Sequence, residues 1–171
     1  MGQSKATYTG LPSSAIFGAT GRVMRGVRPS SFLIYLTTGD HQLNDGDLTF
    51  IDTGIGTPVV FRDCVADHSF MAPPHGKEGN YWVIACVFDR RARWMNQYAE
   101  GEYNVRNPKG DVELYSKKTC KEVVDALLGA MGETSTDTSA VFTAFYPYVK
   151  YAGPPALALE EVLFRCGYSL V

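Results

Sequence analysis

The sequence has few of the features that mark exported, metal-binding or membrane proteins. Its four cysteines lie far apart and form no C-x-x-C pair. The polar first ten residues lack the apolar core of a signal peptide, so we expect a protein made in the cytoplasm whose cysteines are free, buried and apolar in character. No run approaches the roughly 20 uncharged apolar residues that a membrane helix needs. We therefore expect no membrane partner.

An excess of charge of one sign is also missing. Sixteen Lys and Arg stand against eighteen Asp and Glu, which leaves a formal net charge of −2. This balance argues against a surface that neutralises a phosphate backbone. Aromatic residues, in contrast, are abundant: the 171 residues include 10 Tyr, 9 Phe and 2 Trp. Aromatic side chains favour β-strands and protein interfaces.

The chain changes character near Ser31. Residues 1–30 are rich in glycine, proline and other small residues, which predicts an extended N-terminal arm. Residues 31–171 are predicted to form the folded domain. Its first half contains runs of β-branched and aromatic residues bounded by turn-forming residues, which predict strands. They cover 31–37, 48–52, 57–66 and 81–89.

The segment 81–89 has apolar side chains at both parities. Tyr81, Val83, Ala85 and Val87 would point to one side of a strand, and Trp82, Ile84, Cys86 and Phe88 to the other. A strand with one face in water alternates between apolar and polar residues. This pattern therefore predicts that adjoining material, such as another layer or a partner chain, covers both faces.

A hairpin and two helices are predicted in the second half. Asn107, Pro108 and Gly110 favour a tight turn between strands at 101–106 and 111–116. Thr119 and Glu122 have the spacing of a capping box, which starts a helix that ends at Gly132. A second helix is predicted from 154–155 to Gly167. The predicted fold class is α+β, with an antiparallel β-barrel or sandwich followed by two α-helices.

Two motifs suggest cofactors, but neither has the necessary context. The glycine-rich segment 15–23 resembles a dinucleotide-binding turn, yet no strand–helix–strand alternation surrounds it. Cys64, His68 and His75 have the spacing C-x3-H-x6-H without an evident fourth ligand. We predict no cofactor and no metal site.

A cysteine-dependent hydrolase is one alternative function. It would use Cys64 or Cys120 with a histidine base, and Cys120 lies near a helix N-terminus, which can lower a thiol pKa. The sequence pairs no cysteine with a particular histidine. We therefore assign no catalytic residue and expect that the protein is not an enzyme.

The segment 89–94 contains a concentrated group of cationic and aromatic residues. Arg90, Arg91, Arg93 and Trp94 could anchor a protein interface, bind a single nucleic-acid strand on a small barrel, or lie in a solvated turn. The net charge favours a protein partner over nucleic acid. The predicted interface residues are Tyr81, Trp82, Arg90, Arg91, Arg93, Trp94 and Tyr103.

Several segments together resemble the tail or baseplate hub proteins of bacteriophages and related contractile machines. A strand ends in Asp89-Arg90-Arg91, then come Trp94 and the segment 101–106. A capped helix at Thr119 follows, and then a helix that opens at 153–156 and ends at Arg165-Cys166-Gly167. The resemblance covers about residues 48–171.

The resemblance implies a structural role in the virion. Hub-like proteins assemble as symmetric rings, often trimers, that join the tail tube to spike or fibre proteins. It implies other tail and baseplate proteins as partners, a homo-oligomeric ring, and a place in the virion tail after synthesis in the host cytoplasm. No catalytic residue is implied.

Overall fold

The computed structural model describes residues 5–37, 43–51, 57–72, 82–134, 136–141, 143–168 and 170. The chain divides into two compact units. Unit 1 is formed by residues 1–24 and 28–92, and unit 2 by residues 25–27 and 93–171. Residues 31–171, predicted to form one folded domain, are distributed over both units.

Unit 1 is an antiparallel sheet of six strands. They are β1 (Ala6–Tyr8), β2 (Ile16–Arg22), β3 (Ser31–Leu36), β4 (Gly46–Phe50), β5 (Val59–Ala72) and β6 (Trp82–Phe88). Their order across the sheet is β1-β4-β5-β6-β3-β2. Because β1 and β2 do not pair, the sheet is sandwich-like and not a closed barrel. The predicted α+β class, with antiparallel strands and two C-terminal helices, is confirmed.

The long strand β5 belongs to both halves of this sheet. Val59 pairs with Phe50 on β4, and Val65 pairs with Phe88 on β6. Between these halves Asp63 has a φ of 52°, and its amide donates to Asp47 Oδ1 at 2.9 Å. An extra residue in one strand bends it. Side chains from the two halves then share one core, which contains Tyr8, Ala19, Phe32, Ile34, Leu36, Leu48, Cys64, Ala85 and Val87.

The predicted N-terminal arm is corrected by the structure, because residues 5–30 contribute β1 and β2. Gly21, which belongs to the predicted arm, lies in β2 and pairs with Phe32. A Cβ at Gly21 would lie 2.2 Å from Phe32 Cδ1. Glycine is therefore needed for the buried aromatic ring to lie across β2, and it does not mark a loop here.

Unit 2 combines two strands with two helices. They are β7 (Ala99–Tyr103), α1 (Cys120–Ala130), β8 (Val149–Gly153) and α2 (Pro155–Cys166). β7 and β8 pair in antiparallel register. One face of each helix packs into the core, which includes Trp94, Val123, Val124, Leu127, Leu128, Val149, Leu159, Val162 and Leu163.

The helix boundaries follow their predicted caps. The Thr119 side chain accepts from the Glu122 amide, and the Glu122 carboxylate accepts from the Thr119 amide, so the capping box is present. α2 has proline in its first turn and ends at Gly167, which has a φ of 74°. At 11 and 12 residues, α1 and α2 are too short to cross a membrane, and the described residues hold no longer helix.

The predicted hairpin between 101–106 and 111–116 is present near its turn, but 101–103 do not pair with its second segment. The turn at 107–110 forms, Arg106 and Val112 make an antiparallel bridge, and the Glu113 amide donates to the Val105 carbonyl at 2.8 Å. Asn104, at a φ of 58°, turns the chain away from the line of β7. β7 pairs instead with β8, more than forty residues later in the chain.

Candidate interaction surfaces

The predicted interface residues at the start of β6 are described only in part. Tyr81 lies outside the described residues. Trp82 begins β6 and pairs with Ala72 across the sheet, and its side chain lies outside the description. The part that these two residues play in an interface stays a prediction.

Arg91 is held inside unit 1 by an ion pair with Asp89. Its Nη2 atom lies 2.6 Å from Asp89 Oδ2, and it also donates to the Ser30 hydroxyl and the Met24 carbonyl, each at 2.9 Å. The Ser30 amide donates to the same carboxylate at 2.8 Å. These contacts tie the end of β6 to the segment between β2 and β3, so the Arg91 side chain supports the fold of unit 1.

The ionisation of Asp89 follows from these contacts. Burial by itself raises the pKa of the Asp89 carboxyl. The Arg91 guanidinium and the Ser30 donors together lower this pKa by more than burial raises it. The net result is a pKa below the ordinary value of an aspartate. Asp89 is therefore charged at neutral pH although it is buried.

Trp94 is a core residue of unit 2. Its side chain is 5% exposed, and its indole Nε1 donates to Glu133 Oε1 at 2.8 Å. Arg90 is half-buried and Arg93 is exposed. Of the cationic and aromatic group at 89–94, Arg91 and Trp94 thus serve packing within the chain, and any interface role for the group stays a prediction.

Tyr103, the last predicted interface residue, is half-buried on β7. Its ring centroid lies 6.3 Å from that of Tyr151 on β8, and the Lys118 ammonium lies 5.9 Å from the Tyr103 ring. Both contacts are typical of side chains that cover a small sheet. Tyr103 therefore stabilises the pairing of β7 with β8.

The two faces of β6 differ in burial. Ala85 and Val87 point into the core of unit 1 and are fully buried. On the opposite face Ile84, Cys86 and Phe88 are half-buried. The chain itself therefore buries Ala85 and Val87 completely and the described side chains of the opposite face only in part, and a second chain as cover for that face stays a prediction.

The half-buried side of β6 continues onto β3. In the strand register Leu33 lies opposite Cys86, and Tyr35 lies opposite Ile84, so these side chains share one side of the sheet. Leu33 is 38% exposed. We call Leu33, Tyr35, Ile84, Cys86 and Phe88 the outer sheet face.

Polar residues border part of the outer sheet face, although the apolar Val65 on β5 lies opposite Phe88. Thr20 lies opposite Leu33, and Arg22 lies opposite Ser31. On the other side, the negative charge of Asp67 acts on Cys86, whose pKa is raised first by burial and then by this charge. An apolar centre with a polar rim is the usual composition of a protein interface.

Unit 2 has exposed apolar residues that the sequence analysis missed. Leu114 and Tyr115 form a short 3-10 turn and are 85% and 80% exposed. Leu157 and Phe164 are exposed on α2, seven residues or about two turns apart. The pattern at 111–116 was read as a strand, which placed Leu114 and Tyr115 on opposite faces and hid their joint exposure.

The thiols proposed for a hydrolase have unfavourable surroundings. Burial raises the pKa of Cys64 to about 11. Burial and the neighbouring Cys166 raise the pKa of Cys120 to about 12. Since the thiolate is the nucleophile of such enzymes, neither surrounding activates its cysteine at neutral pH.

The structure describes the dinucleotide-like segment 15–23 fully and the cysteine–histidine motif only in part. The segment that resembles a dinucleotide turn contains β2, and no helix occurs between β2 and β3. His75 lies outside the described residues, as does the side chain of His68. Among the groups that the structure describes, no cluster of three or more His, Cys, Asp or Glu could hold a metal ion.

Comparison with protein-family models and with curated proteins finds no match for this chain. Its function is therefore inferred from the surfaces described above and from the order of the chain's segments.

Proposed function

We propose that the chain is a structural component of a bacteriophage tail or baseplate hub, which assembles with copies of itself and with neighbouring tail proteins. The outer sheet face is the observation that carries this proposal. It is an apolar surface on two paired strands with polar residues along part of its border, and these are properties of a surface that another chain covers.

Burial of the outer sheet face would contribute favourable free energy to assembly. Full burial of a large apolar side chain contributes about 1.5–3 kcal/mol relative to full exposure. Because Leu33, Tyr35, Ile84 and Phe88 are already half-buried or more, each would contribute about 1 kcal/mol on docking. In the proposed ring, the outer sheet face of each subunit would meet a different surface of its neighbour, so that every subunit makes this contact.

The order of segments supports the setting of a phage tail. Antiparallel strands precede a helix capped by Thr119, and a second helix opens with Pro155 and ends at Gly167. This is the order that resembles hub proteins. We infer the tail tube and the spike or fibre proteins as further partners, and genes for such proteins should flank the gene of this chain.

Analytical ultracentrifugation of the purified chain tests assembly. We expect a concentration-dependent species of three subunits. Leu33→Lys places a charge in the outer sheet face and should shift the midpoint of assembly to at least tenfold higher concentration. Val23→Lys, at an exposed site of unit 1 outside the strands, is the matched control and should leave assembly unchanged.

Two results would contradict the proposal. One is a wild-type chain that stays monomeric at every concentration and also when mixed with the products of the flanking genes. The other is equal weakening by Leu33→Lys and Val23→Lys while circular dichroism shows both variants folded, since the surface would then have no special part in assembly.

A further inference from the structure

Two cysteines meet where α1 begins and α2 ends. Cys120 is the first residue of α1 and is fully buried. Its amide donates to the Phe145 carbonyl at 2.6 Å, in addition to the capping box at Thr119. These hydrogen bonds fix the backbone at Cys120 and so the place from which its side chain starts.

Cys166 is the last residue of α2, and its position is set in a similar way. Gly167 adopts the left-handed conformation that ends the helix, and the Tyr168 amide donates to the Leu163 carbonyl at 2.9 Å. Cys166 packs against the core of unit 2 but is partly exposed. The two Sγ atoms lie 3.0 Å apart.

We propose that Cys120 and Cys166 form a disulfide when the protein meets a small-molecule disulfide. A protein disulfide has an S–S distance of about 2.05 Å, so the sulfurs need to approach by only about 1 Å. Both side chains start from a direct sulfur–sulfur contact, and no helix has to move past another. This inference is independent of the proposed function.

The unequal exposure of the two thiols orders the reaction. The thiolate of the partly exposed Cys166 attacks the small disulfide, forms a mixed disulfide and releases one small thiolate. The buried Cys120 gives its proton to that thiolate and attacks the Cys166 sulfur, which forms the protein disulfide and releases the second small thiolate, and solvent protonates it. One small disulfide is reduced to two thiols, and two protein thiols are oxidised to one disulfide.

The other two cysteines have different surroundings. Cys64 points into the core of unit 1, where its thiol donates to the Phe61 carbonyl at 3.4 Å. Cys86 belongs to the outer sheet face, on the opposite side of that sheet. A disulfide between Cys64 and Cys86 would have to cross the sheet, so we expect both to stay reduced in the same reaction.

The disulfide would stabilise unit 2 through the unfolded chain. Cys120 and Cys166 are 46 residues apart, and closing a loop of this length removes much of the conformational freedom of the unfolded state. A stabilisation of the usual size for a disulfide raises the melting temperature of a chain of this length by about 10 °C.

The experiment treats the reduced full-length chain with oxidised glutathione and follows it by intact mass and peptide mapping. We expect the loss of two hydrogen atoms, a cross-link between the peptides of Cys120 and Cys166, and a rise in melting temperature of about 10 °C that dithiothreitol reverses.

Three variants separate the steps. Cys120→Ser should stop at the mixed disulfide and retain one glutathione on Cys166. Cys166→Ser should stay unmodified at Cys120, because that thiol is buried. The double variant Cys64→Ala/Cys86→Ala, as the matched control, should form the cross-link like the wild type.

The inference is overturned if the wild type stays fully reduced, retains glutathione on Cys166 without closing the ring, or cross-links another pair. It is also overturned if the cross-linked protein melts no higher than the reduced protein. Should either serine variant fail to fold, the peptide map of the wild type decides alone.

Discussion

The chain leaving β6 in unit 1 is held by an ion pair, whereas the chain leaving β7 in unit 2 is held by one neutral side chain. Asp89 directly follows β6 and accepts from Arg91 and Ser30. Asn104 directly follows β7, is completely buried, and donates to the Lys118 and Pro147 carbonyls at 2.8 and 2.7 Å. Its Oδ1 accepts from the Lys118 amide at 2.8 Å.

The difference shows two ways to satisfy a buried polar residue at the end of a strand. The ion pair requires removing two charges from water, which costs free energy that the hydrogen bonds offset. The amide of Asn104 has no charge to desolvate and satisfies three backbone groups at once. We therefore expect the stability contributed by the Asp89 ion pair to depend on pH. The stability contributed by the Asn104 hydrogen bonds should not depend on pH.

The largest loss in the free energy of unfolding is expected from Asn104→Ala. The variant leaves two carbonyls and one amide without their partner and places alanine at a positive φ, which costs about 4 kcal/mol in total. Urea unfolding followed by circular dichroism measures this loss. Asn96→Ala, at an exposed position, should change the free energy of unfolding by less than about 0.5 kcal/mol. A similar loss in both variants would refute the role given to Asn104.

Asp89→Ala should cause the second largest loss of stability. It leaves the Arg91 guanidinium largely buried without its carboxylate, and the expected loss of stability is about 3 kcal/mol. Asp111→Ala, in an exposed turn, is the matched control and should be close to neutral. If Asp89→Ala is as stable as the wild type, the ion pair does not hold the end of β6.

Acid should weaken the Asp89 contacts specifically. Because the pKa of Asp89 is lower in the folded chain than in the unfolded chain, its stabilisation is complete above about pH 4 and is lost as the pH falls through the folded pKa. The stability difference between wild type and Asp89→Asn should shrink by about 1 kcal/mol between pH 6 and pH 3. The cost of Asn104→Ala should not change over this range, and a parallel decline would contradict the comparison.

Lys121→Met should cause the smallest loss of stability, because it removes an ion pair that is more exposed than the pair of Asp89 with Arg91. The Lys121 ammonium lies 2.6 Å from Asp125 Oδ2, and the same ion pair contacts the Thr138 hydroxyl, but both charged side chains are about one third or more exposed. We expect a loss of about 0.5 kcal/mol that disappears in 1 M salt. A loss as large as that of Asp89→Ala would show that the stability contribution of an ion pair in this chain does not depend on its burial.

The helices could be predicted because their signals are local. Thr119 and Glu122 cap α1 from positions three residues apart, and Gly167 ends α2 directly. The partner of β7 could not be predicted in this way. β8 lies far along the chain, and the buried Asn104 that redirects the backbone looks like an ordinary turn residue in the sequence.

The surfaces were predicted only in part for a similar reason. Trp94 looked like an interface anchor because its hydrogen-bond partner, Glu133, is thirty-nine residues away. The apolar residues at both parities of β6 did indicate a second apolar surface. Leu33 and Tyr35 joined that surface only through the register of β3 with β6, which depends on tertiary structure.

The bend in β5 has a consequence for how unit 1 opens. One continuous strand supplies hydrogen bonds to β4 at its start and to β6 at its end, so covalent backbone joins the two halves of the sheet. Detaching β4 breaks only the first ladder and detaching β6 only the second, but either step exposes core residues that the other half contributes, such as Val87 or Leu48. The shared core, more than the shared strand, therefore couples the opening of one half to that of the other.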